Sequence, residues 1–205
     1  MKSAFFKITE DKQNKIYQAA VAEFAQNGFD LASLNQIIKE AGISKGGMFK
    51  YINSKEDLYL HILRDILSGL TKHQLNRLEF VDACYISRIR QSVVSGLEFY
   101  NDKPNAYALV LGAFADVQSS LYEKVMILRH EVASEYDSKL MEGVDWSLYN
   151  MDKGLIIRLI QIILEGLNAL VLKQNMEILK VEDFEASLMS DFDLAMKSIT
   201  TGIVR

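Results

Sequence analysis

Chemistry in this chain is concentrated between Ser33 and Lys55, which read SLNQIIKEAGISKGGMFKYINSK. Lys45, Gly46, Gly47, Lys50 and Tyr51 fall together on the outer face of one short helical pattern. Two ammonium groups flanking a surface without bulk can meet phosphates while the backbone approaches base edges, as DNA-reading helices do. Enzyme chemistry has no comparable support. His61, His73 and His130 are the only histidines, and no HExxH motif or His/Cys pairing gives them metal-ligand spacing. Neither a serine nucleophile elbow nor a phosphate loop occurs. Glu131, Glu135 and Asp137 lie on one helix as a solvated face. The chain is therefore read as a non-enzyme with neither metal nor cofactor.

Two helices must position those residues. Leu34, Ile37, Ile38 and Ala41 recur at i, i+3, i+4 and i+7, an apolar stripe on a first short helix. Ser33 stands at its N-cap, and Gln36 is placed to complete a capping box. Gly42 ends it, because the turn needs a residue that tolerates positive φ. Ser44 caps a second helix from about Lys45 to Tyr51, with Met48 and Ile52 facing inward. Helix, glycine turn and helix form a helix-turn-helix. An upstream helix starts after Thr9, buries Ile16, Ala19, Ala20 and Phe24, and closes at Asn27-Gly28. The core of this three-helix unit is expected to be Ile16, Ala20, Phe24, Leu34, Ile37, Ile38, Ile43, Met48 and Ile52.

The stretch AGISKGGMFKYINSKEDLY, with AAVAEFAQNGFDLASLNQI before it, resembles the DNA-binding region of the tetracycline-repressor (TetR) family. The resemblance covers roughly residues 10 to 63. It implies an all-α fold in which residues 1–54 bind DNA and residues 55–205 form a larger effector-binding and dimerisation domain, about nine helices in all. It also implies roles for single residues. Gly46 and Gly47 would lie against the groove, Lys45, Lys50 and Tyr51 would contact bases or phosphates, and Lys55 would clamp a phosphate. Ser33 and Ser44 would bind phosphate or cap their helices. Phe49 stands where the family commonly has a tyrosine whose hydroxyl reaches a phosphate. Gly47 replaces a common Thr, Ser or Ala, weakening the helix by about 1 kcal/mol.

Charge distribution agrees with a reader at one end. The 205 residues carry a formal charge of −4, yet residues 1–55 hold eight lysines against five carboxylates, a balance of +3 that leaves −7 for the remainder. One proline, 11 glycines and 49% hydrophobic residues favour long helices around real cores. The single cysteine, Cys84, excludes an internal disulfide and suits a reducing cytoplasm as a buried structural thiol. MKSAFFKITED lacks the apolar segment and cleavage site of a secretory leader. Leu155–Leu172 is the nearest approach to a membrane span, but Arg158, Gln161, Glu165 and Asn168 interrupt it. The expectation is a cytoplasmic protein without a membrane partner.

Beyond the reader, Ser54 caps a long fourth helix carrying Leu58, Leu60, His61, Ile62, Ile66, Leu67 and Leu70. Further helices are expected at about 83–100, 104–115, 119–141, 152–174 and 183–200, with residues 142–150 as the clearest long loop. The helix beginning near 152 is apolar almost all round and must be covered on more than one face. It and the last helix are the expected homodimer element, with Arg158, Gln161, Glu165 and Asn168 on one stripe. The resemblance implies a palindromic double-stranded DNA operator, released when an unknown small apolar or amphipathic effector binds. By placement, Phe99, Tyr100, Tyr107, Leu111, Phe114, Tyr122, Trp146 and Tyr149 are candidates to line its pocket. Control by a protein partner, or regulation without an effector, is the alternative.

Overall fold

The computed structural model describes residues 1–77, 83–173 and 184–203. It consists of nine α-helices and two short 3-10 turns, with no strand among the described residues. The helices are α1 (Glu10–Leu31), α2 (Leu34–Glu40), α3 (Lys45–Tyr51), α4 (Lys55–Leu75), α5 (Tyr85–Tyr100), α6 (Pro104–Ala115), α7 (Tyr122–Met141), α8 (Lys153–Lys173) and α9 (Phe184–Ile203). The 3-10 turns are Phe5–Lys7 and Trp146–Leu148, the latter inside the segment expected as a loop. The expected end of the eighth helix at Gln174 lies outside the described residues.

Packing divides the chain into two compact units. One comprises Met1–Gly69 with Asn105–Ala133, the other Leu70–Pro104 with Ser134–Arg205. This division does not coincide with residues 54/55, because most of α4 and α6 from Asn105 onward group with the three N-terminal helices. In the first unit Ile16, Ala20, Phe24, Ile37, Met48 and Ile52 are buried, joined by Leu58, Tyr59, Ile62 and Leu63 of α4. Leu34 and Ile43, expected in this core, are only half-buried. Tyr59 and Leu63 were not expected there. They fall one residue after Leu58 and Ile62, so they widen the apolar stripe of a helix that is covered on more than one side.

Glycine works where the backbone demands it. Gly28 has φ 64° and interrupts the helical conformation of α1, so the regular helix ends where Asn27-Gly28 was expected to close it. Gly42, also at φ 64°, ends α2, with its own N–H on the Lys39 carbonyl and the Ile43 N–H on the Ile38 carbonyl.

In the second unit α9 packs on α5 and α8. Phe192 is fully buried, and Leu188, Met189 and Met196 share its face. Arg90 of α5 makes a two-point ion pair with Asp193 of α9 at 2.7 and 2.9 Å. The one buried charged side chain among those described, Arg88, donates to the carbonyls of Leu140 and Glu142 at the end of α7. The α8 helix is apolar enough by length and composition to cross a bilayer. Arg158, Gln161 and Glu165 are exposed along it and Asn168 is half-buried, an arrangement costly in lipid. Leu155, Ile162 and Leu170 are exposed beside them.

Candidate nucleic-acid interface

The two short helices are held by side chains at their starts. The Ser33 hydroxyl accepts from the Gln36 N–H at 3.3 Å and the Ser44 hydroxyl from the Gly47 N–H at 3.0 Å. The capping box expected of Ser33 and Gln36 does not close. Gln36 donates to Glu40, and the Ser33 N–H is taken at 2.7 Å by the Glu23 carboxylate of α1. That contact ties α1 to the start of α2, a link across ten residues that no local pattern announces.

The α3 helix has a buried arc and an open one. Met48 and Ile52 are fully buried, as expected. Tyr51, expected on the outer face, is buried at 8% exposure. It follows Met48 by three residues, which puts it about 60° from Met48 around the helix. Phe5 packs edge-on against its ring with centroids 6.3 Å apart, and the Lys12 ammonium lies 5.5 Å from its centre. Tyr51 therefore packs behind α3 and not on its open face. The same N-terminal segment secures the helix end, since Lys2 donates from its backbone to the Tyr51 carbonyl at 2.7 Å and from its ammonium to the Phe49 carbonyl at 2.8 Å.

The open arc carries Lys45, Gly46, Phe49 and Lys50, all exposed. Neither lysine pairs with a carboxylate among the described residues, and Lys39 at the end of α2 is likewise exposed and unpaired. The two glycines differ. A methyl group on Gly46 would meet nothing within 4 Å, so nothing in the fold excludes a side chain there. On Gly47 it would stand 3.1 Å from the Ser44 hydroxyl, crowding the cap bonded to that residue's own N–H. Gly47 thus has an internal reason to be glycine, whereas no neighbour in the fold requires one at Gly46.

Lys55, expected as a phosphate clamp, faces inward instead. Its ammonium donates to the carbonyls of Phe29, Asp30 and Ala32 at 2.6, 3.2 and 3.0 Å. The positive φ of Gly28 turns the chain so that these carbonyls converge, and the cation satisfies what the interrupted helix leaves open.

The eight aromatic and apolar residues expected at an effector pocket are divided between the two units. Tyr107, Leu111, Phe114 and Tyr122 belong to the first unit, while Phe99, Tyr100, Trp146 and Tyr149 belong to the second. Phe99 and Tyr100 pack edge to face at 5.0 Å, and Trp146 lies 6.0 Å from Tyr149. The Tyr149 hydroxyl accepts from the Ile86 N–H and sits 3.4 Å from the half-buried Cys84 sulfur. A cavity of about 220 Å³ lies within the first unit, lined from α1, α4, α6 and the start of α7, and none of the eight lines it. Among the described residues no group of three or more His, Cys, Asp or Glu could hold a metal ion.

Comparison with known proteins agrees with this geometry. Residues 16–62 match the family model described as bacterial regulatory proteins, tetR family. The HTH-type transcriptional regulator RutR of Escherichia coli K12 is 35% identical over 99 residues, covering 48% of this chain and 45% of that protein. The uncharacterized HTH-type transcriptional regulator YfiR of Bacillus subtilis is 32% identical over 71 residues, 32% of this chain and 35% of its own. The chain thus matches less than half the length of these curated relatives. In fold the likeness is end to end. A TetR family transcriptional regulator from Chloroflexus aurantiacus superposes with a TM-score of 0.69 at 20% identity, covering 100% of this chain and 98% of its own. FadR from Bacillus subtilis, solved in complex with stearoyl-CoA, gives 0.61 at 19% identity over 89% and 96%. The relatives named are regulators, not enzymes. Residues 16–62, which span α2, α3 and the helices on either side of them, thus carry the segment described for bacterial regulatory proteins of the tetR family, and the all-α fold is shared with a solved regulator from end to end.

Proposed function

We propose that the protein is a cytoplasmic, homodimeric repressor that binds a palindromic double-stranded DNA operator through α3 and releases it when a small effector binds. The observation that carries the reading is the open arc of α3. Lys45 and Lys50 flank a glycine that nothing in the fold requires, on a helix fixed from behind by Met48, Tyr51 and Ile52. In this reading residues 1–54 read DNA, and residues 55–205 supply dimerisation and effector binding. Lys45 and Lys50 contact phosphates or base edges, Phe49 packs on the sugar-phosphate wall, and Ser33 and Ser44 serve mainly as caps.

Support for a homodimer comes from α8, which exposes Leu155, Ile162 and Leu170 beside Arg158, Gln161 and Glu165. An apolar stripe with interleaved charges suits a two-fold seam with α9. The effector is proposed to be apolar or amphipathic because the candidate lining is aromatic and aliphatic. That a protein of this fold carries stearoyl-CoA supports the class and not the compound. Helix α4 begins at Lys55 beside the reader, so a shift of it on effector binding would change the separation of two readers that must stand about 34–36 Å apart.

Selection from a pool of random 30-base-pair duplexes tests the reading, because it needs no prior operator. A palindrome should be enriched by the native chain and not by the Lys45→Ala/Lys50→Ala variant. Equal retention of random DNA by both proteins, without enrichment, would refute DNA reading by α3.

A further inference from the structure

The cavity in the first unit has walls of a particular chemistry. Three aromatic side chains, Phe24, Phe29 and Tyr59, line it together with Asn27, Asp116 and Ser119, and none of its twelve lining residues is basic. Tyr59 packs edge-on against Phe24 at 4.9 Å and tilted against Phe29 at 5.2 Å. It is only 3% exposed, and it forms part of the cavity wall. The Asp116 carboxylate, 3.9 Å from where a methyl group on Gly28 would lie, forms no ion pair among the described residues.

These groups set the charge and the donor count of an occupant. Asn27 already donates to Glu23 at 3.1 Å, which leaves its carbonyl oxygen as an acceptor. Asp116 accepts only, and Tyr59 adds a phenolic donor. Burial first, then the charges of Asp116 and Asp30, push the Tyr59 phenol up to about 12, so it stays protonated at neutral pH. The nearest cation, Lys55, lies 4.5 Å from the Phe29 ring centre, but its donors are taken by three carbonyls. Asp116, exposed at the rim of the cavity, has no ion-pair partner among the described residues and stands near aromatic rings, which attract cations. In size, an apolar cavity of about 150 Å³ admits benzene, so about 220 Å³ admits a ring carrying one short polar arm.

We propose that this cavity is a binding site for a small organic cation, an amine on an aromatic or short aliphatic body, separate from the residues proposed for the effector. The ammonium group faces Asp116 and Asn27, and the hydrocarbon body lies among Phe24, Phe29 and Leu109. The occupant touches the end of α1 at Gly28 and the second turn of α4, the two segments joined by Lys55. The site does not depend on the DNA-binding reading, because its test measures ligand alone.

Benzylamine, cationic at neutral pH, and benzyl alcohol, its neutral isostere, are titrated into the full-length chain by calorimetry, with melting curves as a second readout. Native protein should bind benzylamine saturably and melt higher in its presence, with benzyl alcohol about tenfold weaker or worse. Asp116→Asn, a surface change that keeps shape, should weaken benzylamine by about tenfold, since a charge-assisted contact is lost. Tyr59→Phe should weaken it a few-fold, and Asp137→Asn, outside the cavity, should leave it unchanged. Absence of saturable benzylamine binding to the native chain overturns the proposal. So does equal affinity of the native and Asp116→Asn proteins.

Discussion

The Lys55 ammonium stands 4.5 Å from the centre of the Phe29 ring and donates to the Phe29 carbonyl at 2.6 Å. One cation thus holds both the side chain and the backbone of the turn that follows Gly28. Lys55 is the first residue of α4, so this contact welds the start of α4 to the end of α1. A phosphate could engage it only by breaking bonds the fold already uses.

Lys55→Ala should therefore act on stability and leave DNA binding nearly alone. Three carbonyls lose a charged donor at a partly buried site, worth about 1–2 kcal/mol in a urea melt. The slope of log K against log salt for DNA should stay as in the native protein. A slope flattened by about one unit, with unchanged stability, would restore the phosphate-clamp role.

Lys45→Ala and Lys50→Ala should behave oppositely. Both side chains are exposed and pair with no carboxylate among the described residues, so stability should change by less than about 0.5 kcal/mol. Each should flatten the salt dependence of DNA affinity by about one unit per lost phosphate contact. If Lys50 reads a guanine, Lys50→Ala should further cost about 1–3 kcal/mol on the selected sequence and little on random DNA. Anisotropy titrations on both DNAs across a salt series check the pair.

The two glycines of α3 should separate cleanly. Gly46→Ala meets no neighbour within 4 Å and removes a poor helix former, so it should stabilise the fold by up to about 1 kcal/mol while weakening DNA binding. Gly47→Ala crowds the Ser44 hydroxyl at 3.1 Å and should cost about 0.5–2 kcal/mol through the disturbed cap. Melts and DNA titrations on both variants suffice. A destabilised Gly46→Ala protein would show that the first glycine is structural.

Alkaline pH should destabilise the fold through its buried phenols. Burial pushes Tyr59, Tyr85, Tyr107 and Tyr149 up to about 12 from 10.0. Their folded-state values are raised, so their contribution is complete below pH 10 and declines as pH climbs toward 12. The decline is at most about 1.4 kcal/mol per pH unit for each group. Tyr59→Phe should make the fall of the urea midpoint between pH 10 and 12 shallower. An unchanged slope would mean that Tyr59 ionises as freely folded as unfolded.

Glu165→Arg should weaken the dimer if the exposed stripe of α8 is the seam, because Glu165 is then placed to meet Arg158 of a partner chain. Sedimentation velocity at low micromolar concentration should show a shift toward monomer. An unchanged profile would place the stripe in solvent.

Local chemistry made much of this molecule legible from its sequence. Ser33, Ser44 and Ser54 cap where their residue types and positions say, since an N-cap needs only a hydroxyl within reach of an N–H three residues on. Gly28 and Gly42 turn the chain at positive φ because other residues are strained there. The stripe of α2, the inward Met48 and Ile52, and the long course of α4 follow from the 3.6-residue period. Tertiary structure decided what covers each face and where each charge goes. Tyr51 is buried because Phe5 and Lys12, some 40 residues away in sequence, come to rest on it. Lys55 turns inward because a carbonyl cage forms 23 to 26 residues before it. The Asp116 carboxylate, just past the end of α6, comes over Gly28 only in the folded first unit. Periodicity is a property of neighbours along the chain, whereas a side chain's cover, its counter-charge and the space left between helices belong to neighbours in space.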